Sequence, residues 1–121
     1  PLDELLLACA QQRLAEMLPI AWKTGVSACV VAAAGGYPGS YQKGLPIAGV
    51  EAAAATGAVV FHAGTRLEQD TLLTDGGRVL NVTAIGESFD DAFGRVYEAI
   101  KQIHFTDLYY RHDIGYQVRS V

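Results

Sequence analysis

Two glycines followed by an alternating strand decide the fold class: Gly76-Gly77-Arg78-Val79-Leu80-Asn81-Val82-Thr83-Ala84-Ile85. Successive side chains of a strand point to opposite faces, and one set here is Leu80, Val82 and Ala84. We therefore predict a strand over residues 78–85 that is entered through a tight turn. Glycine suits such a turn because it adopts backbone angles that other residues avoid.

The residues after this strand predict the clearest helix of the chain. Ser88 is a suitable N-cap, and Asp91 stands three residues on, which makes an approximate capping box. Apolar residues then recur at helical spacing and predict one buried stripe. The stripe consists of Phe89, Ala92, Phe93, Val96, Tyr97, Ile100 and Ile103.

The remaining elements are predicted outward from this strand and helix. A helix is expected over residues 2–17 and a strand over 26–33 that is buried on both faces or nearly so. Residues 45–50 contain Pro46 and form an edge strand at best, and 51–56 suit a helical turn. Strands are predicted at 58–62, continuing beyond Gly64 through 65–67, and at 71–74, with a hairpin tip at 68–70, while 104–110 is extended. This order predicts an α+β domain with a mainly antiparallel sheet, a packed amphipathic helix and one preceding N-terminal helix.

Composition limits the classes of function. The chain has 121 residues, of which 50% are hydrophobic and 18% charged, with a net charge of −4. One folded domain is expected, without the basic face that nucleic-acid binding needs and without an apolar run of membrane-spanning length. Cys9 and Cys29 are predicted to be reduced, buried thiols, which fits a cytoplasmic protein. The abrupt start at Pro1, with no signal peptide, predicts a piece of something longer.

Three glycine-rich phrases mark a candidate site at residues 35–41, 61–65 and 76–80. Bent backbone beside a sheet can bring amides close to an anionic ligand, although simple chain reversal explains the glycines equally well. The spacing of a phosphate loop, a dinucleotide fingerprint, a hydrolase elbow or a zinc site is missing from the sequence.

Arg78 is the sharpest single candidate, because guanidinium binds phosphate with two hydrogen bonds. A solvated arginine at a strand end is the alternative. His62 is either a ligand contact or a histidine at the edge of the core, and Lys43 either closes over the site or is solvated. Arg111 and Asp113 are predicted to form an internal ion pair.

Four motifs together resemble the C-terminal domain of glycinamide ribonucleotide synthetase (phosphoribosylamine–glycine ligase), a family of the ATP-grasp superfamily. The motifs lie at residues 33–44, 60–65, 74–84 and 109–116, in the family's order, and cover nearly the whole chain. One departure is His112, where the family usually carries a lysine. The resemblance assigns residues 1–24 to a helix and linker from the end of the ATP-grasp segment and 25–121 to the C-terminal domain.

The resemblance implies a ligase of purine biosynthesis that joins glycine to phosphoribosylamine after ATP activates the glycine carboxylate. ATP and Mg²⁺ would bind mainly to upstream ATP-grasp domains of the same polypeptide, so this chain should not catalyse alone. No catalytic residue and no metal ligand are expected in it. Its partners would be phosphoribosylamine or its product and those upstream domains, with neither nucleic acid nor membrane. Separated from them, the first helix would expose apolar surface and favour self-association.

By analogy with related ligases, the ribose 5′-phosphate would be held in this domain. The substrate-binding residues expected from that analogy are Arg78, Gly76, Gly77, Gly64, Thr65 and His62. Two other classes of function stay open on the residues alone. One is a stand-alone, non-catalytic module that binds a phosphorylated small molecule, and the other is a purely structural domain. A biotin or lipoyl carrier is disfavoured because neither Lys43 nor Lys101 lies at a suitable hairpin tip.

Overall fold

A computed structural model describes residues 2–119. Three α-helices lie in it: α1 (Leu2–Ala10), α2 (Val50–Ala55) and α3 (Phe89–Ile100). A short 3₁₀ helix, Leu14–Met17, follows α1. The five strands are β1 (Val26–Ala33), β2 (Val59–His62), β3 (Thr65–Glu68), β4 (Thr71–Thr74) and β5 (Arg78–Gly86). The predicted α+β class is confirmed.

The strands form two antiparallel sheets. Strand β5 is the centre of a three-stranded sheet in the order β1-β5-β2, with Val30 and Val60 both opposite Val82. Strands β3 and β4 form a separate hairpin. The prediction that residues 65–67 continue the preceding strand is therefore wrong, because the chain changes sheet at residues 63–64.

The core lies between the three-stranded sheet and α3. Side chains of β1 and β5 that face α3 are fully or almost fully buried, as are most of the predicted helix stripe. The largest of them are Leu80, Ile100, Val30, Val82 and Val96, and Val79 on the opposite side of β5 is also fully buried. Phe89, at the first turn of α3, is the stripe member that remains 38% exposed.

The start of α3 follows the predicted capping chemistry. The Ser88 hydroxyl accepts a hydrogen bond from the Asp91 amide at 3.2 Å. The Asp91 carboxylate in return accepts from the Glu87 amide at 3.1 Å, one residue earlier than a capping box requires. Arg95 donates to Asp91 at 2.8 Å, and this hydrogen bond holds the pKa of Asp91 below its ordinary value. These capping contacts at the helix start are all local in sequence, and Arg119 adds a distant one by pairing with Asp90 at 3.4 Å.

Two burial predictions are wrong. In β1 only the face with Ala28, Val30 and Ala32 is buried, whereas Cys29 on the other face is exposed. Cys9 on α1 is exposed as well. The physical reason for Cys29 is that α3 covers one face of the sheet, whereas within residues 2–119 the other face is covered only in part, by Tyr37 and the segment 109–114.

The N-terminal helix is shorter than predicted. It ends at Ala10, and Gln12 adopts a positive φ of 58° before the 3₁₀ turn. Leu2, Leu6 and Leu7 of α1 are all more than half exposed, so an apolar patch is open as expected. Across residues 2–119, the helices are too short or too polar to cross a membrane.

Candidate functional site

The face of the three-stranded sheet that is turned away from α3 carries the candidate site. Strand register places Asn81 of β5 between Val31 of β1 and Phe61 of β2 on this face, which we call the open face. Asn81 is half-buried, and its side-chain amide has no hydrogen-bond partner within residues 2–119. A polar amide thus stands without a partner in an otherwise apolar row.

Three of the predicted site residues meet in a cavity of about 540 Å³ at one end of this face. We call it the polar cavity. Its lining consists of Val31, Tyr37, Ala63, Gly64, Gly77, Arg78 and Asn81. The predicted grouping of Gly64, Gly77 and Arg78 is therefore present in the geometry, although their role in binding stays a prediction.

The glycines of the cavity are required by close packing. A Cβ atom on Gly64 would lie 2.6 Å from the Gly76 Cα, and one on Gly77 would lie 2.0 Å from the Tyr37 ring. Gly76 therefore supports Gly64, while the ring of Tyr37 lies against Gly77. The Gly77 carbonyl accepts from the Ala34 amide at 2.8 Å. The amides of Gly76 and Gly77 donate to no carbonyl within residues 2–119, and of these two residues only Gly77 lines the polar cavity.

Arg78 differs from the other arginines of the chain in having no carboxylate partner. Across residues 2–119, the other five arginines are all paired with Asp or Glu. They are Arg13, Arg66, Arg95, Arg111 and Arg119. The guanidinium at the polar cavity thus keeps its five donors free for an external anion.

Two further cations lie near the glycines, but both are paired. Lys43 and Arg66 each approach the Asp75 carboxylate at 3.5 Å, and the Asp75 amide donates to the Gly64 carbonyl at 2.7 Å. Lys43 is therefore tied to Asp75 instead of being simply solvated. Arg66 also pairs with Glu68 at 3.1 Å, so two carboxylates balance the two cations of this exposed cluster, which supplies no free donor comparable to Arg78.

A second cavity of about 280 Å³ adjoins the first. We call it the tyrosine cavity, because Tyr37, Tyr109 and Tyr110 line it together with Cys29, Arg78 and Ile114. Its outer wall is the chain segment 109–114. Ala33 and Tyr109 hold that segment to β1 by exchanging backbone hydrogen bonds of 2.8 and 2.9 Å.

The far part of that wall is fixed from α3. The Tyr97 hydroxyl donates to the Arg111 carbonyl at 2.9 Å and accepts from the Ile114 amide at 3.2 Å. The predicted ion pair is confirmed, since Arg111 donates to both carboxylate oxygens of Asp113 at 2.9 and 2.7 Å. This contact lowers the pKa of Asp113 and raises that of Arg111. The ring of His112 stacks on that of Tyr97.

Two predicted site residues lie elsewhere. His62 Nδ1 is 3.1 Å from the Thr65 hydroxyl, and His62 lines a separate groove beside α2. The cause is strand periodicity: His62 is opposite Leu80, on the face that packs towards the helices. Sequence reasoning missed Asn81 and Tyr37 as lining residues. The signal for Asn81 was its polar side chain in an apolar strand, whereas the contact of Tyr37 with Gly77 has no local sequence signal.

No group of three or more His, Cys, Asp or Glu side chains within residues 2–119 is arranged to hold a metal ion. The carboxylates near the site are already engaged, Asp75 with two cations and Asp113 with Arg111. The Arg78 guanidinium, which has no carboxylate partner within the described residues, suits an anion.

Comparison with known proteins gives a consistent set of relatives. The family model described as "Phosphoribosylglycinamide synthetase, C domain" matches residues 27–117. A phosphoribosylamine–glycine ligase of Nostoc sp. is 62% identical over 121 residues, covering 99% of this chain and 28% of the relative. The trifunctional purine biosynthetic protein adenosine-3 of Gallus gallus is 41% identical over 116 residues, covering 96% of this chain and 12% of that protein.

A solved structure extends the similarity to the fold. The crystal structure of phosphoribosylamine–glycine ligase from Thermotoga maritima matches with a TM-score of 0.73 and 31% sequence identity. The match covers 89% of this chain and 27% of that one. The chain therefore spans less than a third of the length of the ligases that it resembles.

Proposed function

This chain belongs to the family of phosphoribosylglycinamide synthetase C domains, and from that premise we propose that it is the C-terminal part of an ATP-dependent ligase joining glycine to phosphoribosylamine. Its relatives that are named phosphoribosylamine–glycine ligase support this proposal. In the complete enzyme, ATP and Mg²⁺ would activate the glycine carboxylate outside the residues described here. The chain would form the substrate wall of the active site.

The observation that carries the assignment is the unpaired Arg78 in the polar cavity. A phosphate group would accept two hydrogen bonds from its guanidinium, and the free amides of Gly76 and Gly77 would donate to the remaining oxygens. Gly64 lets the two backbone segments pack closely beside the cavity, because a side chain there would collide with Gly76. Asn81 would offer its unpartnered amide to a sugar hydroxyl at the same cavity.

Two features fit a larger protein. The sheet begins at Val26 and the family match at residue 27, which supports a boundary near residues 24 and 25 between a connecting helix and the C-terminal domain. The open face and the exposed leucines of α1 would be covered by upstream ATP-grasp domains, and without them would favour self-association. Both cysteines are unpaired thiols, which fits a cytoplasmic location.

The test is Arg78→Ala in an enzyme whose activity can be measured. We would replace the corresponding C-terminal segment of the Nostoc ligase, which is 62% identical, with this chain. We expect the substitution to raise the apparent KM for phosphoribosylamine much more than the KM for ATP. The lost pair of charge-assisted hydrogen bonds should cost about 2–4 kcal/mol of binding free energy.

Arg95→Ala is the matched control, because Arg95 is paired with Asp91 on α3 and lines neither cavity of the open face. Equal rises in the two KM values, or no change in either, would overturn the phosphate assignment. An inactive chimaera whose isolated C-terminal chain still binds ribose 5-phosphate would favour the alternative, a non-catalytic module for phosphorylated ligands.

A further inference from the structure

The tyrosine cavity is a built pocket whose walls are held independently of any ligand. Tyr109 is fixed through its backbone pairing with Ala33, and the Tyr97 hydroxyl clamps the following residues. Tyr110 is supported from behind by the ring of His112, with centroids 4.7 Å apart. Pre-formed, mostly apolar cavities with few polar groups are the usual form of small-molecule sites.

This cavity and the polar cavity meet at shared residues. Val31, Tyr37 and Arg78 line both. The Tyr37 ring, fixed against Gly77, forms part of the division between them, and Arg78 is the free cation at the junction. A ligand with its anionic group on Arg78 can therefore extend into either cavity or into both.

One cavity is polar and the other is aromatic, and together they suit a ligand that has both a polar part and a flat ring. The polar cavity offers Arg78, the amide of Gly77 and Asn81, which suit a phosphate and a sugar. The tyrosine cavity offers aromatic walls with the aliphatic Val31 and Ile114, which suit a flat ring. At about 280 Å³ it suits one planar ring system and not a larger molecule.

We propose that the tyrosine cavity accepts the base of a nucleoside 5′-monophosphate whose phosphate is held by Arg78. The inference rests on the proposed function for the phosphate site and adds a ligand that would compete there with a sugar phosphate lacking a base. A nucleotide bound in this way blocks the substrate position, so the same site would make the enzyme sensitive to nucleoside monophosphates.

The experiment measures calorimetric affinities of the 121-residue chain for AMP and for ribose 5-phosphate. The two probes share the ribose and the 5′-phosphate, and only AMP carries a base. We expect AMP to bind about tenfold more tightly, because stacking of one base on aromatic side chains has an effect of this order. Arg78→Ala should weaken the binding of both.

Two variants separate the base position from the phosphate position. Tyr109→Leu removes an exposed aromatic wall, and Cys29→Phe fills the tyrosine cavity from a strand position that does not line the polar cavity. Each should reduce the AMP affinity to that of ribose 5-phosphate and leave the ribose 5-phosphate affinity unchanged. Tyr116→Leu is the control, since Tyr116 is 63% exposed and lines neither cavity.

The outcomes distinguish this proposal from the one on which it rests. Equal affinities of the wild-type chain for the two probes overturn the base position, while the phosphate site stands if Arg78→Ala weakens both. Tighter AMP binding that survives both Tyr109→Leu and Cys29→Phe also overturns it. If the wild-type chain binds neither AMP nor ribose 5-phosphate, both proposals are overturned.

Discussion

The two faces of the three-stranded sheet are built from the same strands but differ in burial and in polarity. The face towards α3 is dry and apolar, with Val30, Leu80 and Val82 each at most 1% exposed. The open face combines exposed Cys29 and Phe61 with the unpartnered Asn81. We infer from this difference that folding depends mainly on the face packed against α3. The open face can therefore carry polar groups at the cavities. Such groups would be costly inside a core unless they were hydrogen-bonded.

The largest expected loss of stability comes from truncating a side chain on the face packed against α3. Leu80→Ala removes a fully buried side chain next to α3 and should lower the free energy of unfolding by about 2–5 kcal/mol. Ile85→Ala is the matched change on the open face, where the side chain is 63% exposed, and should stay within about 0.5 kcal/mol. Urea denaturation of both variants measures the contrast. Similar losses for the two would show that the open face contributes to folding as much as the packed face.

A smaller loss of stability is expected when the contact between α3 and the wall of the tyrosine cavity is removed. Tyr97→Phe removes the hydroxyl that contacts the Arg111 carbonyl and the Ile114 amide, and should cost about 1–2 kcal/mol of stability. It should also weaken AMP binding while ribose 5-phosphate binding stays unchanged, because Arg78 is not touched.

Tyr116→Phe is the control for this change, since the Tyr116 hydroxyl contacts only the neighbouring Gln117 side chain within the described residues. If Tyr97→Phe unfolds at the wild-type urea concentration, the hydroxyl does not secure the segment. If Tyr97→Phe weakens the binding of AMP and of ribose 5-phosphate equally, the hydroxyl supports both cavities and not the tyrosine cavity alone.

The smallest expected effect is on how stability depends on pH, through Asp91 at the start of α3. Hydrogen bonds from Arg95 and the Glu87 amide lower the pKa of Asp91 below its ordinary value of 3.8. The unfolded chain therefore binds the proton more readily, so this contribution is fully present above pH 3.8 and is lost as the pH falls through the lowered value. Asp91→Asn should make stability less dependent on pH in that window, measured by urea denaturation at several acidic pH values. An unchanged pH dependence would contradict the role of Asp91.

The local elements of the fold could be predicted from sequence because their causes are local. Ser88 caps the helix three residues before the amide that it contacts, and the stripe from Ala92 to Ile103 follows helical spacing. Strand β5 was predicted to within one residue at its end. Alternation in β1 was masked by small residues, so the sequence could not show that only one face would be covered.

Residue patterns alone indicated the family, most of the helices and strands and the candidate Arg78, since motifs, capping and periodicity act between residues close along the chain. Only the tertiary structure decided which residues meet. It joined Gly64, Gly77 and Arg78 at one cavity, turned His62 to the other side and placed Tyr37 against Gly77. The physical reason is that strand register and helix packing assign each side chain to a face, and these depend on contacts between segments far apart in sequence.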